Sequence, residues 1–168
     1  DLLDQPLQVR GRFLSQHLIL HDNRVHHGQP GYHVLMPLLI ESVGDGLADT
    51  PGVEPVAILV NRGWIAASRR REQLPEIATP QDVVLVRGIA MLPKLNYALA
   101  SDHTPGPVRQ GIELARVAMQ AGLRLQPVML QQQGNVMPGP GNEQPAEMAF
   151  ADGLARDWPR DDARVDTH

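Results

Sequence analysis

The chain has 168 residues, no cysteine, and 15 Lys and Arg against 19 Asp and Glu, for a net charge of −4. That length suits one domain with a core of its own. The missing thiols exclude disulfides, thiolate nucleophiles and Cys-ligated zinc or copper, and the acidic balance gives a polyanion such as nucleic acid no overall attraction.

Strand signals dominate the first half. Gln8 to Leu14 alternates around Gly11, and Leu18 to His21 is a short apolar run. Tyr32 to Ile40 and Pro55 to Ile65 flank the turn-rich stretch Gly44 to Gly52 and read as a long hairpin. Arg69-Arg70-Arg71 follows, the one basic run, either a solvated loop or a contact for lipid phosphates or an acidic partner. Asp82 to Met91 is a further strand, ending before Pro93. Val9-Arg10-Gly11 and Val86-Arg87-Gly88 are near copies, and a glycine at matching points of two strands predicts bends where a sheet curls.

A helix is expected from about Val108 to Ala121, where Ile112, Leu114, Ala115, Ala118 and Met119 recur at helical spacing and Gly122 stands as a stop. Gly111 weakens it by about 1 kcal/mol relative to Ala. Leu125 to Gln131 reads as a strand, Gln131 to Gln144 as a long loop, and Ala146 to Phe150 as one more extended segment. From Asp157 the chain is charged and aperiodic, so residues 1–156 form the domain and 157–168 a linker. No apolar stretch reaches the ~18–20 residues that span a bilayer. The expected fold is mainly β (α+β), an antiparallel curled sheet or barrel with one helix near 108–121.

The segment Val56 to Val60 is an apolar run that ends abruptly in Asn61-Arg62-Gly63-Trp64, as a core strand does on reaching a sheet rim. Glycine there permits a backbone that other residues resist, and Trp64 adds a large apolar anchor. Asn61 and Arg62 suit a buried rim where an amide and a guanidinium satisfy loop carbonyls, or a docking surface, since Arg and Trp are common interface anchors. Asp22, Asn23 and Arg24 suit side chain to backbone bonds and a forked carboxylate pair at a strand corner. Five of the seven histidines fall between His17 and His33. His17 and His21 are roughly 13 Å apart if extended, and the side chains of adjacent His26 and His27 are expected to diverge. A hairpin would bring His33 near His21. The cluster is either a solvated group or a weak transition-metal site. No nucleophile with its base and no phosphate-binding glycine loop stands out.

Asp22-Asn23-Arg24 with Gly28, Pro30-Gly31-Tyr32 and Pro37, followed by Val60-Asn61-Arg62-Gly63-Trp64, resembles the SURF1 family of membrane-tethered assembly factors for haem–copper terminal oxidases. Val9-Arg10-Gly11-Arg12-Phe13 and Trp158-Pro159 extend the likeness over nearly the whole chain, while the stretch from Lys94 to Gln144 matches loosely. The resemblance implies a domain on the periplasmic side of a bacterial inner membrane, held by flanking helices. It implies work with the oxidase catalytic subunit and the haem a synthesis machinery, by binding rather than bond-making. It also matches His168, at the approach to a second membrane helix, to a histidine implicated in binding haem a. Two other readings stand beside it. One is a structural interaction domain that scaffolds a membrane complex without cofactor. The other is an OB-like module for oligonucleotides, for which two Phe, two Tyr and two Trp are few.

Overall fold

The computed structural model describes residues 4–41, 55–70, 72–92, 106–138 and 149–158. Among the described residues, eight strands and one α-helix follow in the order β1 (Pro6–Phe13), β2 (Ile19–His26), β3 (Gln29–Ile40), β4 (Val56–Ala66), β5 (Val84–Met91), β6 (Val108–Arg109), α1 (Leu114–Ala121), β7 (Arg124–Gln132) and β8 (Met137–Pro138). Within the described residues no helix is long and apolar enough to cross a membrane.

Five strands close into a barrel: β1 pairs β5, β5 pairs β7, β7 pairs β4, β4 pairs β3, and β3 returns to β1. Closure removes the exposed edges an open sheet would leave. Gly11 stands where β1 passes from one neighbour to the other, opposite Val84 of β5 and Ile40 of β3. Any Cβ there would run into the Leu39 carbonyl, so glycine lets the two backbones close the ring. The expected hairpin forms between β3 and β4, with Gly31 opposite Ala66 at one end and Leu39 opposite Ala57 at the other. Two pairings depart from the antiparallel pattern: β4 runs parallel to β7, and β2 runs parallel to β6.

Alternation along the strands separates the cores. Phe13, Met36, Leu38, Ile58, Val60, Val84, Val86, Val128 and Leu130 fill the barrel. On the outer face, Leu35 and Leu59 pack with Ile19 and with Ile112 and Val117 of the helical region. Leu20, Tyr32 and Val34 form a third cluster under Leu154. Strands β3 and β4 are therefore buried on both faces, which is why they read as nearly continuous apolar runs.

The helix begins later than its spacing predicts. Val108 and Arg109 pair with Leu20 and His21 in β6, and the Leu20 amide donates to the Pro107 carbonyl at 2.8 Å. Sheet pairing thus captures the first residues of the expected helix, and α1 starts at Leu114. Its buried face centres on Val117, whereas Met119, counted among the apolar positions, is 76% exposed. Gly122 ends the helix at a left-handed φ of 68°, as expected of a C-terminal glycine. The expected loop after Gln131 carries β8, which pairs with β5. The turn-rich stretch 44–52, most of the segment 146–150 and residues 159–168, including His168, lie outside the described residues.

Candidate functional site: a strapped barrel rim

The rim is built where β4 leaves the barrel. Val34 pairs Gly63 and Leu35 pairs Asn61, so Arg62 is the extra residue of a β-bulge. A bulge breaks the two-residue alternation and re-aims a side chain. Here it turns Arg62 into the barrel mouth, where the residue is fully buried. Its guanidinium lies 4.7 Å from the centre of the Phe13 ring, donates to Thr79 Oγ1 at 2.8 Å and the Ala78 carbonyl at 2.9 Å, and approaches Met36 Sδ at 3.9 Å. The Asp152 carboxylate, whose side chain is fully buried, stands 3.6 Å away. Burial lowers the Arg62 pKa to about 10, with Asp152 opposing the shift and Arg156 adding to it, so Arg62 remains a cation at neutral pH.

Asp152 belongs to a returning segment, residues 149–158, that straps across this rim. Arg156 donates to Asp152 Oδ2 at 2.9 Å and to the Arg62 carbonyl at 2.7 Å, and it also bonds Asn135. Asp152 Oδ1 accepts from the Leu154 amide at 3.0 Å. Trp64 and Ala155 exchange both backbone hydrogen bonds, at 2.8 and 3.0 Å. Gly63 makes that approach possible: its φ is 139°, and an added Cβ would sit 2.7 Å from the Ala155 carbonyl oxygen and 3.0 Å from Leu154 Cβ. Asn61 turns its Oδ1 to the Gly63 amide at 3.2 Å.

The two sequence blocks meet on this rim. Trp64 Nε1 donates to the Arg24 carbonyl at 2.8 Å, and the indole lies against Gly31, where a Cβ would meet the ring at 2.5 Å. Asp22-Asn23-Arg24 lies within β2 at an irregularity in its register with β3, not in a separate corner turn. Asp22 is buried and accepts from Gln110 Nε2 at 3.1 Å, while Arg24 Nε donates to the Asp22 carbonyl at 3.2 Å. The Asn23 side chain is outside what is described. Sequence reasoning placed Arg62 at a buried rim but missed Asp152 and Thr79, its partners from two later segments. A cation closing an apolar run is itself the signal that a distant carboxylate is needed.

His21 and His33 face each other across β2 and β3. Both pKa values fall to about 4, mainly through burial, with Arg24 also lowering His21 and with His21, then Arg24, also lowering His33. Both imidazoles are thus neutral at pH 7. The unfolded chain takes up these protons near the ordinary 6.5, so their contribution is complete above pH 6.5 and is lost as the pH falls towards 4. Partial solvent screening limits it to on the order of 1 kcal/mol per histidine. Urea midpoints measured from pH 7 to pH 5 should therefore fall, and His33→Gln should flatten that slope; an unchanged slope in the variant would refute the assignment.

A small closed barrel whose charged rim is locked by its own C-terminal strap is the class of protein this arrangement defines. The chain belongs to the SURF1 family, whose model matches residues 2–159. That family is associated with assembly of the terminal oxidase. None of the curated proteins compared matches the chain.

Among the described residues, neither the barrel lumen nor the groove beside β1 and β5 suits an enclosed haem. The barrel lumen is filled with apolar side chains, Phe13 among them, and Met36 Sδ faces Arg62 and the Thr79 hydroxyl. An open groove of about 360 Å³ beside β1 and β5 is lined by Pro6, Leu7, Gln8, Arg87, Gly88, Ile89 and Gln133, none of them an axial-ligand type. The barrel's strand order is shared with OB-folds, but among the described residues no Phe, Tyr or Trp is exposed as a stacking platform. Among the described residues Phe13 and Tyr32 are buried, and Trp64, Phe150 and Trp158 are half-buried.

Proposed function

We propose that this chain is the extramembrane domain of an oxidase-assembly factor that receives haem a and passes it to the catalytic subunit of a haem–copper terminal oxidase. In this reading it acts from the periplasmic side of a bacterial inner membrane, is held there by flanking helices, and works beside the haem a synthesis machinery. Haem a is cargo, and the protein's part is binding and release. The observation that carries the reading is the family match over residues 2–159, supported by the packing of both signature blocks on one rim. With the lumen filled, haem a in this reading is held outside the barrel, with His168 as its axial ligand. A carrier must bind with restraint, since each ~1.4 kcal/mol of added affinity slows release about tenfold at a fixed on-rate.

Full-length protein purified from cells making haem a should carry it, and His168→Ala should remove it; retention in that variant would reject the ligand assignment. The filled lumen also favours a second reading, a scaffold that contacts the oxidase without cargo. A deletion strain separates the two. Cargo transfer predicts oxidase protein depleted in haem, whereas a scaffold predicts less of the whole complex with its haem content unchanged.

A further inference from the structure

The β2–β3 hairpin ends in a two-residue turn, His27-Gly28, with His26 opposite Gln29. Both turn residues have positive φ, 50° and 78°, the signature of a type I′ turn. Histidine is among the few non-glycine residues that enter this region with some frequency. The turn ends strand alternation, so the side chains of His26 and His27 converge rather than diverge as expected from their adjacency. Their rings lie 4.1 Å apart at 67°. Both meet one carboxylate from the strap: His26 Nε2 is 3.0 Å from Asp157 Oδ1, and His27 Nε2 is 3.1 Å from Asp157 Oδ2.

We infer that His26, His27 and Asp157 form a binding site for a divalent transition-metal ion of the zinc or copper class. The ligand atoms all lie within 4.8 Å of one another. A tetrahedral ion with bonds of about 2.0–2.1 Å places its ligands roughly 3.3 Å apart, so the two His–carboxylate spacings of 3.0 and 3.1 Å already suit it, and the widest spacing, within 4.8 Å, must close by up to about 1.5 Å. Two imidazoles and a carboxylate, in a chain without cysteine, suit Zn²⁺ or Cu²⁺ rather than a soft monovalent ion or a hard cation.

His26 and the Asp157 backbone are positioned by contacts independent of the ion. His26 packs against Trp64 at 4.9 Å between centroids. The Asp157 backbone is flanked by Ala155, paired with Trp64, and by Trp158, whose Nε1 donates to the Gln132 carbonyl at 2.8 Å. The hairpin tip and the strap are separated by 130 residues in sequence. A bound ion would staple one to the other, and with His27 and Asp157 exposed it would keep a position open to solvent or to a partner's donor atom.

The test uses the chain without an affinity tag, stripped with chelator and titrated calorimetrically with Zn²⁺ and Cu²⁺ at pH 7.5. One ion per chain at micromolar affinity is expected, with electron paramagnetic resonance of the Cu²⁺ form showing nitrogen ligation. His27→Asn retains a residue suited to the turn, and Asp157→Asn retains the shape of the carboxylate. Each should weaken binding on the order of tenfold or more while leaving the urea midpoint of the metal-free chain unchanged. His17→Gln should bind as the parent does. Millimolar or weaker binding by the parent would overturn the site. Affinity insensitive to both His27→Asn and Asp157→Asn would overturn it too, because the ion would then be bound elsewhere. If one variant is destabilised, the other decides.

Discussion

Asp152→Asn should lower the stability of the chain by about 3–5 kcal/mol, measured by urea denaturation at pH 7, because it leaves the buried Arg62 guanidinium without its anion. The neighbouring Arg156 guanidinium loses the same partner, so two cations then face each other in the barrel mouth. The asparagine still offers an oxygen to the Leu154 amide, but its NH2 group then faces Arg156 and cannot accept the hydrogen bond that Oδ2 takes. Arg62→Met should cost less, about 1–3 kcal/mol, although it deletes the larger side chain. Asp152 retains Arg156 and the Leu154 amide in that variant, so no buried charge is abandoned, and methionine fills part of the volume beside Phe13. Combining the two changes should recover part of the Asp152→Asn loss, since the unpaired cation is then gone. If Asp152→Asn lies within ~1 kcal/mol of the parent, the buried pair is not what holds the strap.

Gly63→Ala should cost about 2–4 kcal/mol and loosen the strap selectively. The new methyl group must accept a φ near 139° while meeting a backbone carbonyl, Ala155, that cannot rotate away as a side chain could. The paired hydrogen bonds between Trp64 and Ala155 are the first to yield. Hydrogen exchange should therefore accelerate at the Trp64 and Ala155 amides while Val60 and Leu130, deep in the barrel, keep their protection relative to the global stability. Uniform acceleration would place the damage in the barrel, and wild-type exchange at both amides would show that the strap closes without help from this glycine. Because Asp157 and Arg156 travel on the same strap, such loosening would also disturb the histidine–carboxylate cluster at the hairpin tip.

The strands legible in the sequence are those whose cause is local. Alternation around Gly11, the β-branched run before Pro93 and the long paired runs of β3 and β4 each appear as predicted to within a few residues. β2 extends further than its apolar run because backbone pairing with β3 resumes past the irregularity at Asp22-Asn23 and continues from Arg24 to His26, which sequence hydrophobicity cannot register. The start of α1 fails for a similar reason. Val108 and Arg109 have acceptable helical spacing, but an open edge of β2 offers their backbone a partner before the helix can use it.

What the sequence alone determined is a β-rich chain without thiol chemistry, a rim at Asn61-Arg62-Gly63-Trp64, and a family membership visible in two short blocks. These follow from composition and from interactions between residues close in the chain. Only the tertiary structure decided that the sheet closes, that β4 and β7 run parallel, that Arg62 points inward through a bulge, and that Asp152 and Asp157 return to meet a cation and two imidazoles. Pairings across 90 to 130 residues leave no periodic trace, since any carboxylate of suitable reach could serve. Which one does is fixed by the path of the backbone, and that path is set by the packing of the whole barrel.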